Sequence, residues 1–150
     1  FGAIRSTGQI TANLGSTGGG IFISKGLNVN LSGNIALGGT TTLGSTTTGT
    51  QNIAIGTGAL AANTTGLANL AIGEDALTSN TTINNSLAIG WRALRSQTTG
   101  GGNIAVGPNA LRLSTAGTNM VAFGANALEN LVTGSGTLQL EQMHLQMLMV

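Results

Sequence analysis

Asn52-Ile53-Ala54-Ile55-Gly56 is followed by Asn69-Leu70-Ala71-Ile72-Gly73, and the pattern returns in varied form three more times, always at a step of 17 in the numbering. Its fixed points are Ala54 and Gly56, Ala71 and Gly73, Ala88 and Gly90, Ala105 and Gly107, and Ala122 and Gly124. A second element keeps the same period, at Ala59-Leu60, Ala76-Leu77, Ala93-Leu94, Ala110-Leu111 and Ala127-Leu128. Asn-Thr-Thr follows at Asn63 and Asn80, continued by Gln97-Thr98-Thr99 and Ser114-Thr115. Five copies without an insertion mark a repeat architecture. A degenerate copy, Asn34-Ile35-Ala36-Leu37-Gly38, precedes the first at a step of 18.

Each copy reads as one short strand. The alternation in Ile53-Ala54-Ile55 puts the two isoleucines on one face and the alanine on the other. The large residues form two rows, Ile53 to Val121 and Ile55 to Phe123, expected to make the core of the coil. The alanine row never varies, which suggests close approach by another chain or layer. Glycine supplies a positive-φ corner. The next two positions vary freely, as an exposed corner would. The Ala-Leu step is expected to be a single helical turn pinned by its leucine, and Asn-Thr-Thr-Gly to be the return turn. One unit cannot bury its own apolar face, whereas stacked units can. The expected fold is all-β, a solenoid or β-roll, with five coils spanning on the order of 24 Å at one strand spacing each.

Three segments follow from this. Residues 51–136 are the solenoid. Residues 1–50 read as a β-rich neck or shaft, with strands at Ile21-Phe22-Ile23 and Leu27 to Leu31 between Gly-rich and Thr-rich turns. Residues 137–150 depart from the repeat: they hold three of the four Met, the only His and no Gly. This aberrant tail is read as a sixth repeat translated out of frame. The chain opens on Phe1 rather than Met, so a fragment or a processed product is expected.

Composition narrows the function. Among 150 residues there are 25 Gly, 1 Pro and no Cys, with 6% charged and 3% aromatic. So little charge excludes a solvated disordered tail. Backbone groups must be satisfied by ordered pairing, and an oligomer would hide further surface. The basic residues Arg5, Lys25, Arg92, Arg95 and Arg112 are scattered, which gives no nucleic-acid footprint. No apolar run approaches the roughly 20 residues that span a bilayer. Without cysteine there is neither a disulfide framework nor thiol chemistry.

The pattern Asn-x-Ala-Ile-Gly-x-x-Ala-Leu-x-x-Asn-Thr-Thr-Gly, over roughly residues 52–136, resembles the repeats of bacteriophage tail fibres. It is similar also to the β-roll heads of trimeric autotransporter adhesins, whose repeat is usually shorter. The resemblance implies a parallel homotrimer at a virion or cell surface. Its partners would be virion tail or baseplate proteins and a host surface polysaccharide or protein.

Few residues suggest chemistry. Ile55-Gly56-Thr57-Gly58 mimics a dinucleotide loop, but the other copies lack the second glycine. Glu74-Asp75 is the only adjacent carboxylate pair, and it sits at a variable corner, where solvation is the plainer explanation than glycoside cleavage. His144 has no neighbouring Cys or Asp for a metal site or triad. Trp91-Arg92 is the candidate contact for carbohydrate or a partner, since Trp stacks and Arg donates; equally, it could fill a covered corner between chains. The threonine rows suggest an ice-binding face, set against an ordinary turn. Asn63 and Asn80 match the N-glycosylation sequon, which is read as repeat chemistry. The expected function is therefore that of a non-enzymatic structural fibre without cofactors or metals. It would serve a virion tail in host attachment; the alternatives are a bacterial trimeric adhesin and, further off, an ice-binding solenoid.

Overall fold

The computed structural model describes residues 33–38, 41–43, 47–136 and 138–140. Seven strands of three residues each form one parallel sheet in chain order: β1 (Ile35–Leu37), β2 (Ile53–Ile55), β3 (Leu70–Ile72), β4 (Leu87–Ile89), β5 (Ile104–Val106), β6 (Val121–Phe123) and β7 (Leu138–Leu140). Ala54 pairs with Ala71, Ala71 with Ala88, Ala88 with Ala105 and Ala105 with Ala122, so the sequence period is the sheet register. The protein is a β-solenoid. Seven strands are separated by six spacings, or about 29 Å at ~4.8 Å each.

The strand at Ile35–Leu37 joins the sheet, pairing Ala36 with Ala54. The solenoid thus reaches back into the segment expected to be a neck. Leu43 packs on the core cluster and stands one full repeat before Leu60, whereas Ala36 lies slightly more than a repeat before Ala54. The extra residue of this coil therefore lies between Leu37 and Leu43. The strands expected around Ile21 and Leu27 lie outside the described residues.

The coil interior is the reverse of the expectation. Ala54, Ala71, Ala88, Ala105 and Ala122 are completely buried and belong to the core with Ala59, Leu60 and their equivalents. The flanking Ile, Leu and Val residues are half-buried. Strand alternation places them on the opposite face, outside the coil. A coil this short encloses little volume. One leucine from the far wall, two alanines and two polar side chains fill it. A strand isoleucine has no room there, so the small residue turns inward.

Nor is the Ala-Leu step a helical turn; among the described residues there is no helix. Leu43, Leu60, Leu77, Leu94, Leu111 and Leu128 all have φ between 48° and 52°, in the left-handed region. The corner is a run of tight turns, with Ala59 N–H donating to Gly56 C=O and Asn63 N–H to Leu60 C=O. The N–H of each leucine from Leu43 to Leu111 then donates to the next coil, as Leu60 does to Ala76 and Leu94 to Ala110 at 3.0 Å. The expected glycine corner is present: Gly56, Gly73, Gly90, Gly107 and Gly124 have φ from 117° to 135°. Successive coils also crowd there, since a Cβ on Gly73 would stand 2.5 Å from the Gly90 carbonyl oxygen.

Asparagine ladders cross the narrow interior. Asn69 is buried; its Nδ2 donates to Ile83 C=O at 2.7 Å, and its Oδ1 accepts from Ser86 N–H at 3.0 Å. Asn52 and Asn103 do the same for Gly66 and Gly117 and for the next coil. One side chain thus ties the strand to the return turn and to the coil that follows.

Candidate functional site

The outer face of the sheet is an apolar surface that runs through every coil. Each strand offers two large apolar residues, and they stack in two rows along the rod. In-register neighbours cover one another's flanks, which keeps the middle rows half-buried. Exposure rises toward the ends, to 53% at Leu37 and 41% at Phe123. This face carries no charged side chain between Ile53 and Phe123.

Trp91 and Arg92 lie together on the corner after β4. The guanidinium carbon of Arg92 sits 4.2 Å from the Trp91 ring centroid, a cation–π contact. Trp91 keeps 42% of its surface exposed. The Nε atoms of Arg92 and Arg95 each lie 3.8 Å from Oδ2 of Asp75 in the preceding coil. Arg92 and Asp75 occupy the same corner position one coil apart, and both have positive φ. One face of Trp91 is thus occupied by Arg92, whose charge is partly balanced by Asp75. Glu74 is exposed beside this cluster, and Glu129 accepts from Nε of Arg112 at 2.8 Å elsewhere. Two of the three described carboxylates are therefore engaged with arginines.

The threonine rows lie outside the sheet, on the return turn. Thr64, Thr81 and Thr98 are exposed, and the hydroxyls of Thr64 and Thr98 donate to carbonyls of the next coil. Thr64 and Thr65 are adjacent rather than alternate, so they do not stand on one face of a strand. Asn63 and Asn80 are 1% and 0% exposed, which buries the acceptor asparagine of both sequons and supports their reading as repeat chemistry.

One feature escaped the sequence reading. A shallow groove of about 530 Å³ lies beside Gly100-Gly101-Gly102. The equivalent places carry Leu67-Ala68, Asn84-Asn85 and Thr118-Asn119 in other coils. The groove is lined by Thr82, Ile83, Asn84, Asn85, Thr98, Thr99 and Asn119 beside the glycines, all uncharged and mostly hydrogen-bonding groups. Three consecutive glycines were the signal for it.

Among the described residues no group of three or more His, Cys, Asp or Glu could hold a metal ion, and no helix is long and apolar enough to cross a membrane. No family model, curated protein or solved structure matches the chain.

Proposed function

We propose that this chain is a structural fibre segment of a virion tail that positions or mediates attachment to a host surface, and that it works as a parallel homotrimer. The observation that supports this reading is the continuous apolar outer face of the sheet. Contiguous apolar surface of this kind marks an interaction site. Its two rows repeat at the strand spacing, so a covering partner with the same repeat meets it at every coil. A second and third copy of this chain have that repeat. The expected contact is thus the Ile, Leu and Val rows, and the alanine row fills each coil's own interior.

The solenoid acts as a spacer, and its corners carry the recognition residues. Trp91 and Arg92 are proposed to meet host polysaccharide or protein, with the exposed part of the indole as the contact. Light scattering on the purified chain tests the assembly: three times the chain mass is expected, and a monomer at micromolar concentration overturns it. Antibody labelling of the native particle tests the location. Label along a tail fibre is expected; label on a bacterial outer surface would move the reading to a trimeric adhesin.

A further inference from the structure

The pairing of β6 with β7 sets Leu138, Gln139 and Leu140 opposite Val121, Ala122 and Phe123. The repeat step therefore holds past the fifth copy, and Gln139 takes the place that alanine has in every earlier coil. By the same step, positions 141, 143, 144 and 145 correspond to Gly124, Asn126, Ala127 and Leu128. Those columns are demanding. The first needs a glycine at φ near 117° to 135°. The second has left-handed backbone at Gly58, Asp75, Arg92, Asn109 and Asn126, a conformation that Asp and Asn tolerate best after glycine and that Arg92 also adopts. The third is a buried alanine throughout, and the fourth a left-handed leucine. The written residues are Glu141, Met143, His144 and Leu145; Leu145 suits its column, whereas Glu141 stands in the glycine column and His144 in the buried alanine column.

The genetic code relates the two patterns. A frame displaced by one nucleotide reads each position from the last base of the preceding codon and the first two bases of its own. Met has the single codon ATG and His begins CA, so position 144 reads GCA, alanine, whatever codons are used. Gln ends in A or G and Met begins AT, so position 143 reads AAT or GAT, asparagine or aspartate. Alanine is the residue of its column in every copy, and Asn or Asp stands in three of the five copies of the other. From 137 to 142 and at 145 and 146 the code leaves a choice that includes a residue of the column; at 148 it gives only alanine or valine, and at 149 Asn, Asp, His or Tyr, so the match ends with the corner. Leucine codons ending in G at 138 and 140 give alanine at 139 and glycine at 141. Leucine codons beginning TT at 138 and 140 allow isoleucine at both, and CAC followed by TT gives leucine at 145.

We propose that the coding sequence for residues 137–150 carries, one nucleotide out of phase, the strand and corner of a further coil of the solenoid, reading Asn-Ile-Ala-Ile-Gly-Ala-Asp-Ala-Leu-Ala-Asn-Ala-Asn. It would supply the small interior residue, the glycine corner and the buried alanine that the written tail lacks at 139, 141 and 144.

The nucleotide sequence tests this directly. Codons ending in G are expected at Leu138 and Leu140, with CAC at His144 and a TT codon at Leu145. Any other last base at Leu140 puts arginine or a stop at the glycine corner and overturns the proposal. A second test acts on the full chain, with Thr137 to Met149 replaced by the out-of-phase stretch of equal length. An added coil contributes another interface, so the thermal midpoint is expected to rise by several degrees; an unchanged or lower midpoint overturns the assignment as a coil. With the expected codons present, peptide masses from the native protein separate the sources. The out-of-phase peptide means that the coil is made and the written frame is erroneous or alternative. A peptide spanning Met143-His144-Leu145 means that the coil has been displaced by mutation.

Discussion

The leucines of the corner show how two costs are weighed at one residue. Left-handed backbone costs a residue with a Cβ roughly 1–2 kcal/mol. Glycine would avoid that cost, yet leucine stands at all six described positions. Leu60, Leu77, Leu94 and Leu111 are completely buried, and burying such a side chain contributes about 1.5–3 kcal/mol. Burial therefore matches or outweighs the strain. The same backbone explains why the column never holds Ile or Val: a β-branched residue at positive φ is a true outlier. Leu94→Ala is expected to cost about 2–5 kcal/mol. Leu94→Ile, nearly equal in volume, should exceed the usual ~1.5 kcal/mol limit for isosteric core swaps, because the branch meets the left-handed backbone. Urea titrations of both variants check this; an Ile variant as stable as the parent would refute the strain argument. Ala88 tests the inverted interior. Ala88→Arg places an unpaired charge inside the coil, a change that costs several kcal/mol. Loss of the β circular dichroism signal is expected, rather than a folded chain that merely dissociates.

At the scale of one coil, the strand is a minor part. Three residues pair in the sheet, and the rest of the repeat closes the loop through corner and turn. Those residues use the next coil for their hydrogen bonds, as Leu77 does with Ala93 and Thr64 with Thr81. Asparagine reinforces the closure from within. Asn69→Ala removes an acceptor from Ser86 N–H and a donor from Ile83 C=O, leaving both without that partner. A cost of about 1–3 kcal/mol is expected for each group left buried and unsatisfied. Hydrogen exchange should show faster amide exchange confined to coils next to residue 69. Because each coil touches only its neighbours, whole coils are removable. Deleting Leu70 through Asn103, two whole coils, joins matching positions of the repeat. The shortened chain is expected to keep its β signal and to lose about 10 Å of length. Small-angle scattering measures that length, and an unfolded product would contradict the solenoid's modularity.

For the whole molecule, the decisive property is the outer face. Only 6% of the chain is charged, and its mean hydropathy is +0.28. A fold that turns alanine inward and the strand isoleucines outward leaves two rows of large apolar residues half-buried on its surface, which the proposed trimer would cover. Leu87→Thr combined with Ile89→Thr tests this, since both are half-buried on the outer face and neither belongs to the coil core. The pair should lower assembly mass in light scattering while the β circular dichroism of each chain persists. If the fold is lost together with the assembly, the face belongs to the chain's own core.

The sequence by itself determined the period, the register, the parallel stacking and the glycine corner. These follow from the spacing of Ala54, Ala71, Ala88, Ala105 and Ala122 and from the freedom of Gly56 and its equivalents. It determined also that Ile53 and Ile55 share a face opposite Ala54. Which face is inside was decided only by closure of the coil. Alternation distinguishes two sides of a strand without saying how much space lies behind either. A short loop already occupied by Leu60, Asn52 and Asn63 has room for a methyl group and no more. The left-handed leucine, the asparagine ladder and the notch at Gly101 were settled in the same way. Each depends on what stands across the interior or one coil above, at a distance that local spacing does not encode.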